Sequence, residues 1–81
     1  MAGPRNKAGK PASEDPVLIS LGEQIACARR AAGRLQQEVA EVAGVSRSTL
    51  HTIEHGGAGV RWEKVAAVAA ALGLAMTFHP V

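Results

Sequence analysis

The chain has 81 residues, which is enough for one small domain with an economical hydrophobic core. Its formal net charge is +2, and it has almost no aromatic side chains apart from Trp62 and Phe78. A weak positive charge fits a nucleic-acid partner without establishing one. The sequence has no bilayer-spanning apolar run and no signal-peptide core, and its single cysteine, Cys27, excludes an internal disulfide. We therefore expect a cytoplasmic protein.

Residues 1–16 are predicted to be a flexible tail. Glycine and proline residues interrupt this stretch repeatedly, and it has no hydrophobic periodicity. Arg5, Lys7 and Lys10 make its first part basic. The tail is either an arm that lies along DNA or a solvated terminus.

The first helix is predicted over residues 20–32. Ser20 and Glu23 have the spacing of a capping box, although the helix could begin one turn earlier, near Pro16. Arg29 and Arg30 lie near its C-terminus, where positive charge suits the helix dipole. The predicted inward-facing residues are Leu21, Ile25, Ala28 and Ala32.

Residues 36–56 predict two short helices joined at Gly44. The first covers residues 36–43, and its apolar residues share one face because they are spaced three and four apart: Val39, Ala40 and Ala43. Gly44 suits the left-handed conformation that ends a helix, and Ser46 can cap the next helix. Only Val45 separates the two, so the helices must cross steeply. This arrangement is a helix-turn-helix.

The second of these helices, residues 47–55, is predicted to present a polar surface. Leu50 and Ile53 face inward, so the outward-facing residues are Arg47, Ser48, His51, Thr52 and His55. A cation at a helix N-terminus is disfavoured by roughly 0.3–1 kcal/mol. Arg47 lies at such a position, and this cost is offset if its guanidinium binds a phosphate or a guanine edge.

The spacing across this stretch resembles that of the Xre family of phage-repressor-like transcription factors. The matching residues are Gln36, Ala40, Gly44, Val45, Leu50, Ile53, Glu54 and Gly56. The resemblance covers residues 21–73 and implies an all-α helical bundle in a bacterial, nucleoid-associated DNA-binding protein. It also implies an ion pair between Arg29 and Glu54. Arg34 and Leu35 depart from the family pattern, and Leu35 cannot cap a helix.

The resemblance also assigns DNA contacts residue by residue. It implies base-edge contacts by Arg47, Ser48 and Thr52, and a phosphate contact by Gln36. Together with the exposed positions nearby, the predicted phosphate contacts are Gln36, Ser46, His51, His55 and Arg61. Gln36 could instead be a plain solvent-facing side chain.

Two patterns suggest enzyme chemistry, and we interpret both otherwise. Residues 51–55 read H-x-x-E-H, a zinc-peptidase pattern, but the chain is too small for a substrate cleft and a distant acidic ligand. The glycine-rich residues 56–59 follow a helix and lack the lysine of a phosphate-binding loop. We predict no enzymatic activity, no cofactor and no metal site.

The last predicted helix covers residues 61–72 and ends at Gly73. Its predicted buried residues are Trp62, Val65, Val68, Ala69 and Leu72, with Trp62 as the anchor. Residues 74–81 then change from helical to alternating periodicity, which predicts a short β-strand. The predicted strand residues are Leu74, Met76, Thr77 and Phe78.

A lone strand needs a partner for its backbone hydrogen bonds, and a second copy of the chain is the obvious one. The alternative is a strand docked on its own domain. This ending resembles HipB-type antitoxins, which implies a homodimer on a palindromic operator and a HipA-like serine/threonine kinase toxin as partner. Other open alternatives are a phage-type or other Xre-family regulator without a toxin, and a protein-interaction scaffold without an operator.

Overall fold

The structure is a computed structural model that describes residues 15–80. This part of the chain contains four helices and no strand: α1 (Pro16–Ala31), α2 (Gln36–Ala43), α3 (Arg47–Glu54) and α4 (Trp62–Ala71). Helix α1 packs against α3, and α2 packs against both α3 and α4. The predicted all-α class is confirmed. None of these helices combines the length and the hydropathy needed to cross a bilayer.

Helix α1 begins at Pro16, four residues before the predicted start at residue 20. The Asp15 carboxylate accepts a hydrogen bond from the Val17 amide at 2.9 Å, and Pro16 occupies the first turn. Ser20 lies inside the helix, where its hydroxyl accepts from Gln24 Nε2 at 3.2 Å. The predicted box of Ser20 and Glu23 is therefore wrong, and the earlier start is correct. Residues 1–14 of the predicted tail lie outside the described residues.

The core forms where all four helices meet. Its buried members are Ile25, Val39, Ala40, Leu50, Ile53 and Val68. Of the inward-facing residues predicted in α1, Ala32 is exposed, because it lies past the end of the helix as its C-cap. Gly22 is buried instead, and a Cβ there would collide with the carbonyl oxygen of Ile53. Glycine at this position lets α1 approach the end of α3 closely.

The turn between α2 and α3 has the predicted form. Gly44 adopts a left-handed conformation with φ of 75°, and the Val45 amide donates to the Ala40 carbonyl oxygen at 3.0 Å. Ser46 then caps α3, since its hydroxyl oxygen accepts from the Thr49 amide at 3.0 Å. Ala40 is only 1% exposed, so the small side chain is needed where the two helices meet.

Helix α4 is anchored differently from the prediction. Trp62 is 56% exposed and does not fill the core, because it stands at the first position of the helix, away from the packed face. Val68 and Ala69 are buried as predicted, and Val65 and Leu72 are half-buried. The indole of Trp62 faces the ring of Phe78, with ring centroids 6.2 Å apart.

The predicted C-terminal strand is not present in the described residues. Helix α4 ends at Ala71, Gly73 follows with φ of 71°, and residues 74–80 have no regular structure. A strand requires a neighbouring strand for its backbone hydrogen bonds, and residues 15–80 provide none. Phe78 is 78% exposed, Leu74 is also exposed, and Met76 is half-buried.

Candidate nucleic-acid interface

Helix α3 separates an apolar face from a polar face. Leu50 and Ile53 are buried in the core, so the orientation of the helix about its own axis is fixed. Arg47 and Ser48 lie on the opposite, exposed side at the start of the helix. Neither side chain has a hydrogen-bond partner within residues 15–80. Their donors and acceptors are therefore available to a ligand.

His51 lies one turn further along the exposed side of α3, and His55 follows another turn later as the C-cap of the helix. Their ring centroids are 4.0 Å apart with a tilt of 31°, and the Nδ1 atom of His55 lies 2.9 Å from the His51 carbonyl oxygen. Both side chains are exposed. Together with Arg47, they give this surface three nitrogen-bearing side chains within two turns.

Thr52 is less available than its exposed neighbours. It is half-buried, and its hydroxyl donates to the Ser48 carbonyl oxygen at 3.1 Å. Its own carbonyl oxygen accepts from the Gly57 amide at 2.9 Å. Ser46 is similarly engaged, since its hydroxyl also donates to Thr49 Oγ1 at 3.0 Å. A DNA contact by either hydroxyl would compete with these bonds.

The far end of α3 is fixed by Glu54, which is buried and accepts three hydrogen bonds. Arg29 donates through Nε to Glu54 Oε2 at 2.7 Å and through Nη2 to Oε1 at 3.1 Å. Gln36 Nε2 donates to the same Oε1 at 3.0 Å. Arg29 also donates to the Arg34 carbonyl oxygen at 3.0 Å. The Glu54 network, defined as Arg29, Gln36 and Glu54, therefore joins α1, α2 and α3.

The network changes the pKa values of both charged partners. Burial of Glu54 by itself would raise the pKa of its carboxyl group. The hydrogen bonds from Arg29 and Gln36, with the charges of Arg29 and Arg30, outweigh that effect and hold this pKa below its ordinary value. The hydrogen bond to Glu54 raises the pKa of Arg29. Both groups therefore stay charged at neutral pH.

The side chain of Gln36 is hydrogen-bonded within the chain. Its amide nitrogen donates to Glu54, so a phosphate contact by this nitrogen would compete with that bond. The two residues are 18 positions apart, so no local periodicity could have signalled this bond. Leu35, beside it, makes no side-chain cap, and Glu38 Oε1 accepts from the Leu35 amide at 2.9 Å instead.

The zinc-peptidase interpretation finds no support in this arrangement. Glu54, the fourth residue of the H-x-x-E-H pattern, accepts hydrogen bonds from Arg29 and Gln36. Residues 15–80 contain no group of three or more histidine, cysteine or carboxylate side chains placed to hold a metal ion. Arg61, the last predicted phosphate contact, is exposed and caps the start of α4 through its backbone carbonyl oxygen.

Comparison with known proteins agrees with this geometry. The family model described as a helix-turn-helix domain matches residues 20–77. The chain is similar to the clp gene regulator ClgR from C. glutamicum, with 32% identity over 76% of this chain and 80% of ClgR, and a TM-score of 0.67. No curated protein sequence matches the chain.

Two further solved structures have a similar fold. The restriction-modification controller protein C.AhdI from Aeromonas hydrophila is 26% identical over 75% of this chain and 92% of C.AhdI, with a TM-score of 0.68. A chain of the HipA-HipB-O2-O3 complex gives a TM-score of 0.74 over 84% of this chain and 96% of its own length. Its 19% identity shows likeness of fold alone.

Proposed function

The chain belongs to the helix-turn-helix domain family and has the Xre-type arrangement, and from this membership we propose that it is a sequence-specific transcriptional repressor. Helix α3 would read double-stranded DNA in the major groove. The observation that carries the proposal is the guanidinium of Arg47, which is exposed and unbonded within residues 15–80 at the start of α3. No hydrogen bond or ion pair within this part of the chain offsets the unfavourable position of that charge at the helix N-terminus.

The proposed contacts divide into those that read bases and those that hold the backbone. Arg47 would bond guanine O6 and N7, with Ser48 beside it and Thr52 one turn further on. The proposed phosphate contacts are Gln36, Ser46, His51, His55 and Arg61. Gln36, Ser46 and Thr52 would each exchange an internal hydrogen bond for one to DNA. These three contacts should therefore add less to affinity than Arg47 does.

We include a homodimer on a palindromic operator in the proposal. Its support is the exposed apolar side chains of Trp62, Leu74 and Phe78, of which Trp62 and Phe78 have ring centroids 6.2 Å apart, since exposed apolar patches mark interaction sites. The residues proposed to form the interface are Leu74, Met76, Thr77 and Phe78. A twofold dimer would present two copies of α3 to half-sites about 34 Å apart, one turn of DNA.

A narrower proposal is that the repressor is a HipB-like antitoxin with a HipA-like serine/threonine kinase toxin as its partner. It is supported by the sequence of the C-terminal segment and by the fold shared with a chain of the HipA-HipB-O2-O3 complex. Co-expression with the product of the adjacent gene tests it. Co-purification of a kinase-like protein is expected, and purification of the chain alone would leave a repressor without a toxin.

The decisive experiment is a gel shift with the DNA upstream of the chain's own gene, repeated across a range of salt concentrations. Repressor function predicts tight binding to one site, with an affinity that falls steeply as salt rises. Binding no tighter than to bulk DNA would reject the operator and favour a protein-interaction scaffold.

Arg47→Ala tests the proposed reading residue within the same assay. The variant should lose about 1–3 kcal/mol of discrimination at one base pair, because a bidentate guanine contact is removed. Lys64→Ala is the matched control, since it removes an exposed cation from α4 and should leave base preference unchanged. Unaltered base preference in Arg47→Ala would remove Arg47 from the reading surface.

A further inference from the structure

His51 and His55, which the proposed function places at the DNA backbone, also form a closely spaced pair of imidazole rings. They lie four residues apart on one exposed side of α3, with ring centroids 4.0 Å apart. Histidines at this helical spacing can hold one metal ion between them. We propose that the pair binds a single divalent late transition metal ion of the Zn²⁺, Ni²⁺ and Cu²⁺ class, for which imidazole is a preferred ligand.

The hydrogen bond of His55 carries the proposal beyond spacing. A carbonyl oxygen can only accept, so the 2.9 Å contact with the His51 carbonyl oxygen requires the proton of His55 to be on Nδ1. In the neutral ring the lone pair is then on Nε2. Metal-binding histidines commonly donate their other ring N–H to a carbonyl or carboxylate, which fixes both tautomer and ring orientation. The free protein thus holds His55 in the form that a metal ligand needs.

The distances are compatible with chelation. Two imidazole nitrogens at about 2.0–2.1 Å from a tetrahedral zinc ion lie about 3.3 Å apart. The rings have centroids 4.0 Å apart with a tilt of 31°, and His51 is exposed, so rotation of its ring can bring a nitrogen toward Nε2 of His55. Water would complete the coordination, because residues 15–80 bring no third ligand of the usual types to the pair.

The neighbouring charged groups set the character of the site. Glu54 is adjacent in sequence to His55, but its oxygens accept from Arg29 and Gln36, so it is not available as a ligand or as a base. Arg47 stands one turn before His51, and its positive charge weakens cation binding. The site therefore binds a metal reversibly and has no carboxylate to activate water. It is not a peptidase centre.

The test is calorimetric titration of the full chain with Zn²⁺, Ni²⁺ and Cu²⁺ separately at pH 7.5, without DNA. All proteins carry Cys27→Ser, because the exposed thiol is itself a soft metal ligand. One ion per chain is expected. His51→Gln and His55→Gln should each weaken binding at least about tenfold, since even altered second-shell partners cost that much.

His79→Gln is the matched control, because it removes the remaining histidine of the chain, which lies outside α3. It should change the affinity less than twofold. Equal loss in all three histidine variants, or no loss in any, would show adventitious binding and overturn the proposal, as would no binding by any of the three metals. The measurement is independent of DNA, so its failure would leave the repressor proposal standing.

Nitrogen-15 NMR of the imidazole rings tests the tautomer directly. The free protein should show His55 protonated at Nδ1, and metal should shift the Nε2 resonance of His55 first. A proton on Nε2 in the free protein would remove the preorganisation on which the site depends.

Discussion

The helix-turn-helix unit and the C-terminal segment of residues 74–80 differ in how far the chain itself buries their apolar side chains and satisfies their hydrogen bonds. In the first, Leu50 is fully buried and Glu54 has its hydrogen bonds supplied by the same chain. In the second, Phe78 is 78% exposed and the backbone forms no regular structure. The comparison teaches that one region is complete within a single chain, whereas the other carries apolar surface that the described part of the chain leaves uncovered.

The largest expected effect is a loss of stability on replacing Glu54 in the helix-turn-helix unit. Glu54→Ala would leave Arg29 partly buried and without its partner, and would remove the contact that joins α3 to α1 and α2. Breaking one member of such a buried pair typically costs about 3–5 kcal/mol. The free energy of unfolding, measured by chemical denaturation, should fall by an amount near that range.

The matched control for this change is Glu23→Ala, which removes an exposed carboxylate from α1. A surface change of this kind should stay within about 0.5 kcal/mol. Similar small effects in both variants would mean that the Glu54 network adds little stability, and the contrast between the two regions would lose its main physical basis.

A smaller effect should appear when the same network is weakened by acid. The pKa of Glu54 is lower in the folded chain than in the unfolded chain, so its stabilisation is fully present above the unfolded pKa, about 4.3. That stabilisation is lost as the pH falls through the lower, folded pKa. The unfolding free energy of the natural chain should therefore decline below about pH 4.3.

Glu54→Gln sharpens this measurement because it keeps the shape of the side chain and removes its titration. The other carboxylates titrate in both proteins, so their contributions cancel in the difference. The variant should be less stable at pH 7 and should lose less stability on acidification. Parallel pH curves for the two proteins would exclude Glu54 as a source of the acid sensitivity.

The same contrast explains how far the sequence could predict the structure. Local signals were sufficient for the turn, because Gly44 and Ser46 need only their neighbours to act as helix stop and cap. Local signals failed where packing between residues distant in sequence decides whether a side chain is buried. Trp62 has the spacing of a core residue but is the first residue of α4 and is 56% exposed.

The candidate site shows the same limit. The exposed positions of Arg47 and Ser48 follow from helical periodicity once Leu50 and Ile53 are placed inside. The bond from Gln36 to Glu54 depends on how α2 packs against α3, which periodicity within one helix cannot express. The side chains of residues 74–80 alternate as they would in a strand. A strand forms, however, only where its backbone can hydrogen-bond to an adjacent strand.

The smallest effect on the stability of a single chain should come from the second region. Phe78→Ser should reduce the unfolding free energy of the dilute protein by about 1 kcal/mol or less, because the lost contact is one aromatic pair with Trp62. Self-association should weaken clearly, since the proposed dimer covers this ring. Sedimentation across a range of concentrations, alongside denaturation at low concentration, separates the two quantities.

Val42→Ser is the control for this last change, because Val42 is 65% exposed on α2, outside the proposed interface. It should leave association unchanged. An association constant equally unaffected by Phe78→Ser would remove the C-terminal segment from the dimer. A loss of more than about 2 kcal/mol in the dilute protein would mean that Phe78 packs within its own chain, because exposed residues rarely matter that much. The second region would then be as self-contained as the first, and the exposed ring would need no partner.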